Sequence, residues 1–171
     1  MPDSRALSHK VAIVGASETE QLGKIPDLNV LELHADSALR AVADAGLKMS
    51  DIDGFATAGT SPAQVTEYLG IAPRWVDGTS LGGGSFLAHV GHAAAAIAAG
   101  YADTVLITHG ESGRSRVGVG GGGGGGSTIG GQFEAPYGVQ GAPSTFSVPV
   151  ARHMKDYGTT EEQIASVSVA T

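Results

Sequence analysis

The 171 residues include no cysteine. That absence excludes disulfides, thiolate metal ligands and a cysteine nucleophile, and it fits a reducing cytosol. Positive charge is scarce as well: 10 Lys and Arg stand against 17 Asp and Glu, a formal net charge of -7. The few basic residues are scattered, which argues against a surface that tracks nucleic-acid phosphates. Long apolar runs are missing too. The opening Met1-Pro2-Asp3-Ser4-Arg5 has no apolar signal-peptide core, and the small-residue run Ala93 to Ala99 is too short for a membrane span. These absences point to a soluble cytoplasmic protein. What is present, 42% hydrophobic against 16% charged residues, suits one globular unit with a real core.

The pattern along the chain predicts an α/β fold. Val11-Ala12-Ile13-Val14-Gly15 reads as a strand buried on both faces. Small or apolar residues at Leu31, Ala35, Ala38, Val42 and Ala45 recur at helical spacing, with Asn29 as N-cap and Gly46 as stop. A strand follows at Asp53 to Ala58, a short helix at Pro62 to Leu69 and a third strand at Arg74 to Asp77. Ser85 to Ala99 is small or apolar nearly all round and predicts a helix buried on every side, between layers or at a subunit interface. Thr104 to Thr108 is the clearest strand. Four strands in a mostly parallel sheet are therefore expected, within residues 1–117. Residues 118–146 read as a glycine-rich inserted loop that includes the homoglycine run Gly120 to Gly126, whose entropy cost forbids packed structure. Residues 147–171 read as a helical return: a helix from Ser147 to Tyr157, a stop at Gly158, and a capping box at Thr159-Thr160-Glu161-Glu162 opening a last helix. An end in mid-helix at Thr171 suggests a longer natural polypeptide.

The richest stretch for chemistry is Val76-Asp77-Gly78-Thr79-Ser80-Leu81-Gly82-Gly83-Gly84-Ser85, a strand-to-helix corner with a hydroxyl and three glycines. Free N–H groups and a positive dipole end gather there, and Gly82, Gly83 and Gly84 would let a substrate carbonyl approach the backbone. Ser80 has two readings, nucleophile or helix N-cap, and the glycines two also, substrate approach or close helix packing. Gly78-Thr79-Ser80-Leu81-Gly82 further matches the GxSxG elbow of serine hydrolases, without an HGGG-like oxyanion loop before it. His89 and His92, one helical turn apart, could join His109 around zinc, but structural roles fit better because no thiolate or carboxylate lies near them in sequence. Val14 to Glu20 lacks the GxGxxG spacing and places carboxylates where pyrophosphate would bind, so a dinucleotide site is excluded. Arg114 and Arg116 follow the best strand and could grip a phosphate or carboxylate, or serve as solvated loop charges or subunit salt-bridge partners.

Together, Val11 to Gly15, the corner at Ser80, the segment His109 to Arg116 and the tail Arg152-His153-Met154-Lys155-Asp156-Tyr157-Gly158-Thr159-Thr160-Glu161-Glu162-Gln163 resemble the thiolase superfamily. The likeness is greatest to its lipid-transfer-protein and sterol-carrier-type thiolases, over an N-terminal half. It implies a layered αβαβα fold and a homodimer or larger oligomer, in some relatives with a partner protein. It also implies coenzyme A thioesters as substrates with no tightly bound cofactor. Ser80 falls at or next to the family's cysteine, and the family's catalytic histidines belong to a second half. The resemblance therefore implies a carbon–carbon bond transferase, or an aldolase or lyase of lipid or sterol side chains, without the cysteine and inactive as this chain alone. A serine hydrolase and a non-catalytic structural or binding subunit are the alternatives.

Overall fold

The computed structural model describes residues 7–118, 129–139 and 141–170. It divides into two units, Met1–Val119 and Gly120–Thr171. The homoglycine run Gly120 to Gly126 lies outside the described residues.

The first unit is built on three parallel strands, β1 (Gly54–Thr57), β2 (Trp75–Asp77) and β3 (Val105–Thr108), in the order β2-β1-β3. Gly54 pairs with Trp75 on one side and Val105 on the other, and Thr57 with Thr108. Helix α1 (Val30–Asp44) starts where its sequence dictates. The Asn29 side chain accepts from the N–H groups of Leu31 and Glu32, and the Glu32 carboxylate accepts from the Asn29 N–H at 2.7 Å. This reciprocal box is worth about 1 kcal/mol. Helix α2 (Pro62–Leu69) opens with proline, whose missing N–H costs nothing at a first turn, and ends at Gly70 with φ of 69°. Helix α3 (Ser85–Ala98) joins β2 to β3.

The handedness of these crossovers assigns the layers. The step from β1 to β2 runs one way along the sheet and the step from β2 to β3 runs back, so right-handed connections place α2 and α3 on opposite faces. Helix α1 packs with α2. Ala38, Val42, Ile52, Phe55, Val65 and Leu106 close the core between this pair and the sheet. At the strand starts, the Asp53 carboxylate accepts from the N–H groups of Asp103 and Thr104 at 2.9 and 2.8 Å and pairs with Arg74. One side chain thereby ties all three strands. Burial works against its charge, but these donors outweigh burial and hold the carboxyl below its ordinary range.

Two expectations change. Val11 to Val14 pairs with no strand, and Ile13 is 77% exposed. The reason is anchorage to α1. A Cβ on Gly15 would lie 2.4 Å from the Ala41 carbonyl oxygen, the Ala16 N–H donates to Asp44 Oδ2 at 3.1 Å, and Glu20 meets Arg40 at 2.6 Å. The sheet thus has three strands, not four, among the described residues. Helix α3 is also not buried on every side: Ser85, His89, Ala93, Ala94 and Ala96 are covered, whereas Leu87 is 81% exposed. Its apolar residues encircle it, but the three-stranded sheet has breadth for only one of its faces.

In the second unit, α4 (Ile129–Phe133) is followed by α5 (Gly141–Tyr157) and α6 (Glu161–Ala170). Helix α5 starts earlier than the pattern predicts and carries Pro149 inside it. The capping box is present with Gln163 as the reaching residue: the Gln163 N–H donates to Thr160 Oγ1 and Gln163 Oε1 accepts from the Thr160 N–H. No helix among the described residues is long and apolar enough to cross a membrane.

Candidate functional site

In open α/β sheets ligands bind outside the carboxyl ends of the strands. Here Thr57, Asp77 and Thr108 close the three strands at one common edge. The loops that follow carry Ser80 and the three glycines, within Gly78 to Gly84 after β2, and His109, Arg114 and Arg116 after β3, whereas His89 and His92 lie on α3.

The first loop is organised by Asp77. Its Oδ1 accepts from the Thr79 N–H and hydroxyl at 2.8 and 2.7 Å, and its Oδ2 accepts from His92 Nδ1 at 2.6 Å. Burial disfavours the charged carboxylate, but the Thr79 hydroxyl and the His92 ring outweigh it and bring the pKa down to about 2. Beside this pair, the fully buried His89 donates its Nε2 proton to the Thr79 carbonyl at 2.9 Å. That oxygen can only accept, so Nε2 carries a proton, and the ring's Nδ1 is buried without a hydrogen-bond partner. His92 is half exposed.

Ser80 is exposed and sits in the loop ahead of α3, whose N-cap is Gly84 without a side-chain cap bond. The capping reading of Ser80 is therefore corrected. The local tie comes instead from Ser85, the first helical residue and fully buried. Its hydroxyl accepts from the Leu81 N–H at 2.8 Å and donates to the Gly82 carbonyl at 2.6 Å. Serine at N1 was outweighed in the sequence by the more conspicuous GxSxG pattern. Gly82 has φ of 72°, a conformation that side chains strain to adopt, whereas nothing lies within 4 Å of a Cβ built on Gly83 or Gly84. Those two glycines do not serve close packing; they leave the approach to the helix end open. Among the described residues, the Phe86 and Leu87 N–H groups there have no acceptor.

The second loop brings His109 to the same end. Its ring centroid lies 4.6 Å from that of Phe86, in the first turn of α3, and its Nε2 faces Glu111 Oε2 at 3.1 Å. Sequence reasoning weighed His109 as a zinc ligand, preferred a structural role and passed over Glu111, although an i, i+2 imidazole and carboxylate after a strand is a legible pair. Among the described residues no three His, Asp or Glu side chains are grouped to hold a metal ion. Behind His109, His34 on α1 is fully buried, with Nδ1 2.8 Å from Thr108 Oγ1 and Nε2 without a partner. Burial first, and the charge of His109 second, lower its pKa to about 4. Arg114 and Arg116 lie further along, exposed, on a loop pinned by the Ile25 N–H to Ser115 Oγ at 2.6 Å and the Ser112 hydroxyl to the Gly23 carbonyl at 3.0 Å. No hydrogen bond joins either guanidinium to Ser80 or to the glycine turn.

Comparison with known proteins finds relatives of the chain in sequence and in fold. The chain is 30% identical, over 96% of its length, to the 17-hydroxy-3-oxo-4-pregnene-20-carboxyl-CoA lyase of Mycobacterium tuberculosis. It is 32% identical over 92% of its length to a steroid side-chain-cleaving aldolase of Thermomonospora curvata, and 30% identical over 93% to an acetyl-CoA acetyltransferase of Methanothermobacter thermautotrophicus. The solved Ltp2-ChsH2(DUF35) aldolase superposes on 87% of the chain with a TM-score of 0.73 and 29% identity. The chain is a thiolase relative. No protein-family model matches it. This thiolase-like chain spans 43–45% of the length of those three relatives and 39% of the solved aldolase chain.

Proposed function

We propose that this chain is the N-terminal half of a thiolase-like protein that handles coenzyme A thioesters and cleaves a carbon–carbon bond by retro-aldol chemistry. The observation that carries the reading is the absence of cysteine. Thiolytic transfer needs a thiolate to accept the acyl group, and a serine hydroxyl remains protonated without a strong base. Ser80, at or next to the position of the family cysteine, has no imidazole within hydrogen-bonding distance; the near one, His89, is spent on the Thr79 carbonyl. Two relatives named as a lyase and an aldolase, and the solved aldolase, support the same direction.

Retro-aldol cleavage needs no covalent nucleophile. A base removes the proton from a hydroxyl on the β-carbon of the thioester, and that carbon becomes a ketone or aldehyde as the bond to the α-carbon breaks. The electron pair passes into the thioester as an enolate, whose α-carbon then takes a proton to give a shortened acyl-coenzyme A. The chain's own part is electrostatic. The free Phe86 and Leu87 N–H groups and the dipole of α3, reached past Gly82, Gly83 and Gly84, suit the enolate oxygen. His109, oriented by Glu111 against Phe86, is the imidazole that adjoins this end and can exchange the proton. Arg114 and Arg116 offer bidentate donors for the substrate's phosphates. The rest of the site comes from the family's second half, to which its catalytic histidines belong.

The test is to incubate the chain, alone and with its assembled partner, with a β-hydroxyacyl-coenzyme A bearing a bulky alicyclic substituent, and to follow products by mass spectrometry. A ketone plus a shortened acyl-coenzyme A from the assembly, and no thiolysis from the chain alone, is the expected result. An acyl adduct on Ser80, or free acid with coenzyme A, would establish the hydrolase reading instead. Tight partner binding with no turnover of any kind would leave a structural or binding subunit.

A further inference from the structure

Successive residues of an extended strand face opposite sides of the sheet. In β3, Leu106 and Thr108 face α1, the first in the core with Ala38 and Val42 and the second against His34. The alternation continues past the last residue of the strand. His109 faces the other way, with its ring centroid 4.6 Å from that of Phe86 on α3. Gly110 turns back to α1, where a Cβ would lie 2.5 Å from His34 Cδ2 and 2.6 Å from the Val30 carbonyl oxygen. Its φ is not positive, so it is the closeness of His34 and Val30 that excludes a side chain there. One buried side chain therefore holds the residues on both sides of His109: His34 Nδ1 bonds Thr108 Oγ1 at 2.8 Å, and the opposite edge of the ring meets Gly110.

A side chain that only filled this space would be apolar. Histidine leaves its Nε2 buried without a partner, a cost that leucine would avoid. What the imidazole adds is the bond to Thr108, whose carbonyl already accepts from the Thr57 hydroxyl at 2.8 Å. Thr108 is thus fixed at side chain and main chain together, one residue before His109. We propose that His34 is a positioning residue: by fastening Thr108 and Gly110 to α1, it directs the intervening His109 onto Phe86 and towards the open end of α3. The inference rests on the reading of His109 as the imidazole that exchanges the proton. A cation in this place would repel a protonated His109. Because burial, and then the charge of His109, bring the His34 pKa down to about 4, the ring is uncharged at neutral pH and positions its neighbour without opposing proton uptake.

The test separates position from stability. His34→Leu keeps the bulk and removes the bond, and Thr108→Val removes the same bond from the other side. Each strands one buried polar group and is expected to lower the unfolding midpoint, whereas the double variant, with both partners apolar, should recover most of it. Contact between the His109 and Phe86 rings is read by nuclear Overhauser spectroscopy on the full chain, with Phe86 and His89, centroids 5.9 Å apart, as the internal reference. The expected result is loss of the His109 contact in all three variants with the reference retained, and its survival in His34→Asn, whose amide can keep the Thr108 bond. Retention of the contact in the single variants would overturn the proposal, as would its return together with stability in the double variant. Where a single variant unfolds, the double variant decides, and a double variant that also unfolds would show a structural role only and overturn it equally. In the assembled protein the same variants should lower kcat for carbon–carbon cleavage about tenfold or more and leave KM in place. Absence of turnover in the unsubstituted assembly would overturn the reaction reading instead, while the ring contact still decides what places His109.

Discussion

Protonation of His34 should unfold the first unit from within. The side chain is fully buried, its Nδ1 is engaged by Thr108 Oγ1, and its Nε2 meets no acceptor. A second proton would put a buried cation there, opposed also by the charge of His109. The pKa accordingly falls from 6.5 in the unfolded chain to about 4 in the fold. Between these values the unfolded chain holds more protons than the folded one, so stability rises with pH through this window. The contribution is complete above pH 6.5 and is lost as the pH falls towards 4. At about 1.4 kcal/mol per pH unit, the change across the window is about 3 kcal/mol. Urea unfolding at pH 7.5, 6 and 4.5 would measure it, with His34→Asn as the comparison, because the shorter amide can keep the Thr108 bond and does not titrate. The variant should be less stable than the parent at pH 7.5, from the lost packing, yet the gap should shrink by most of that ~3 kcal/mol at pH 4.5. Parallel pH curves for parent and variant would refute the reasoning. So would a parent that gains stability on acidification over this range.

Other expectations rest on separate contacts. Gly110→Ala puts a Cβ 2.5 Å from His34 Cδ2 and 2.6 Å from the Val30 carbonyl oxygen, so thermal unfolding should show a loss of about 1–3 kcal/mol; an unchanged midpoint would contradict that packing. Ser80→Ala should alter stability by less than about 0.5 kcal/mol, as befits an exposed, uncapping hydroxyl, whereas Ser85→Ala should cost about 1–3 kcal/mol by stranding the Leu81 N–H. The reverse order in calorimetry would restore Ser80 as the cap. Asp77 titrates in the fold at about 2, below its usual 3.8, so its contribution is present above pH 3.8 and lost as the pH falls through about 2. Asp77→Asn should remove that acid-side slope, a result readable by unfolding between pH 5 and 2.

The sequence by itself determined the elements whose signals are local. Asn29 and Glu32 capped α1, Pro62 and Gly70 bracketed α2, and Thr160 with Gln163 opened α6, because each cap is satisfied by residues a few positions away. β1, β2 and β3 were legible from short apolar runs, and the absence of cysteine constrained the chemistry before any coordinates. The sequence order also sets Ser80 and the three glycines after β2 and Arg114 after β3. Only the tertiary structure decided which of these residues meet. His109 comes against Phe86, and His34 against Thr108, through contacts across 23 and 74 positions that no periodicity encodes. The same holds for Val11 to Gly15 and for α3. Their composition records a wish to be buried, but burial requires a neighbour, and whether a strand or helix face is covered depends on which other segments the fold brings alongside it.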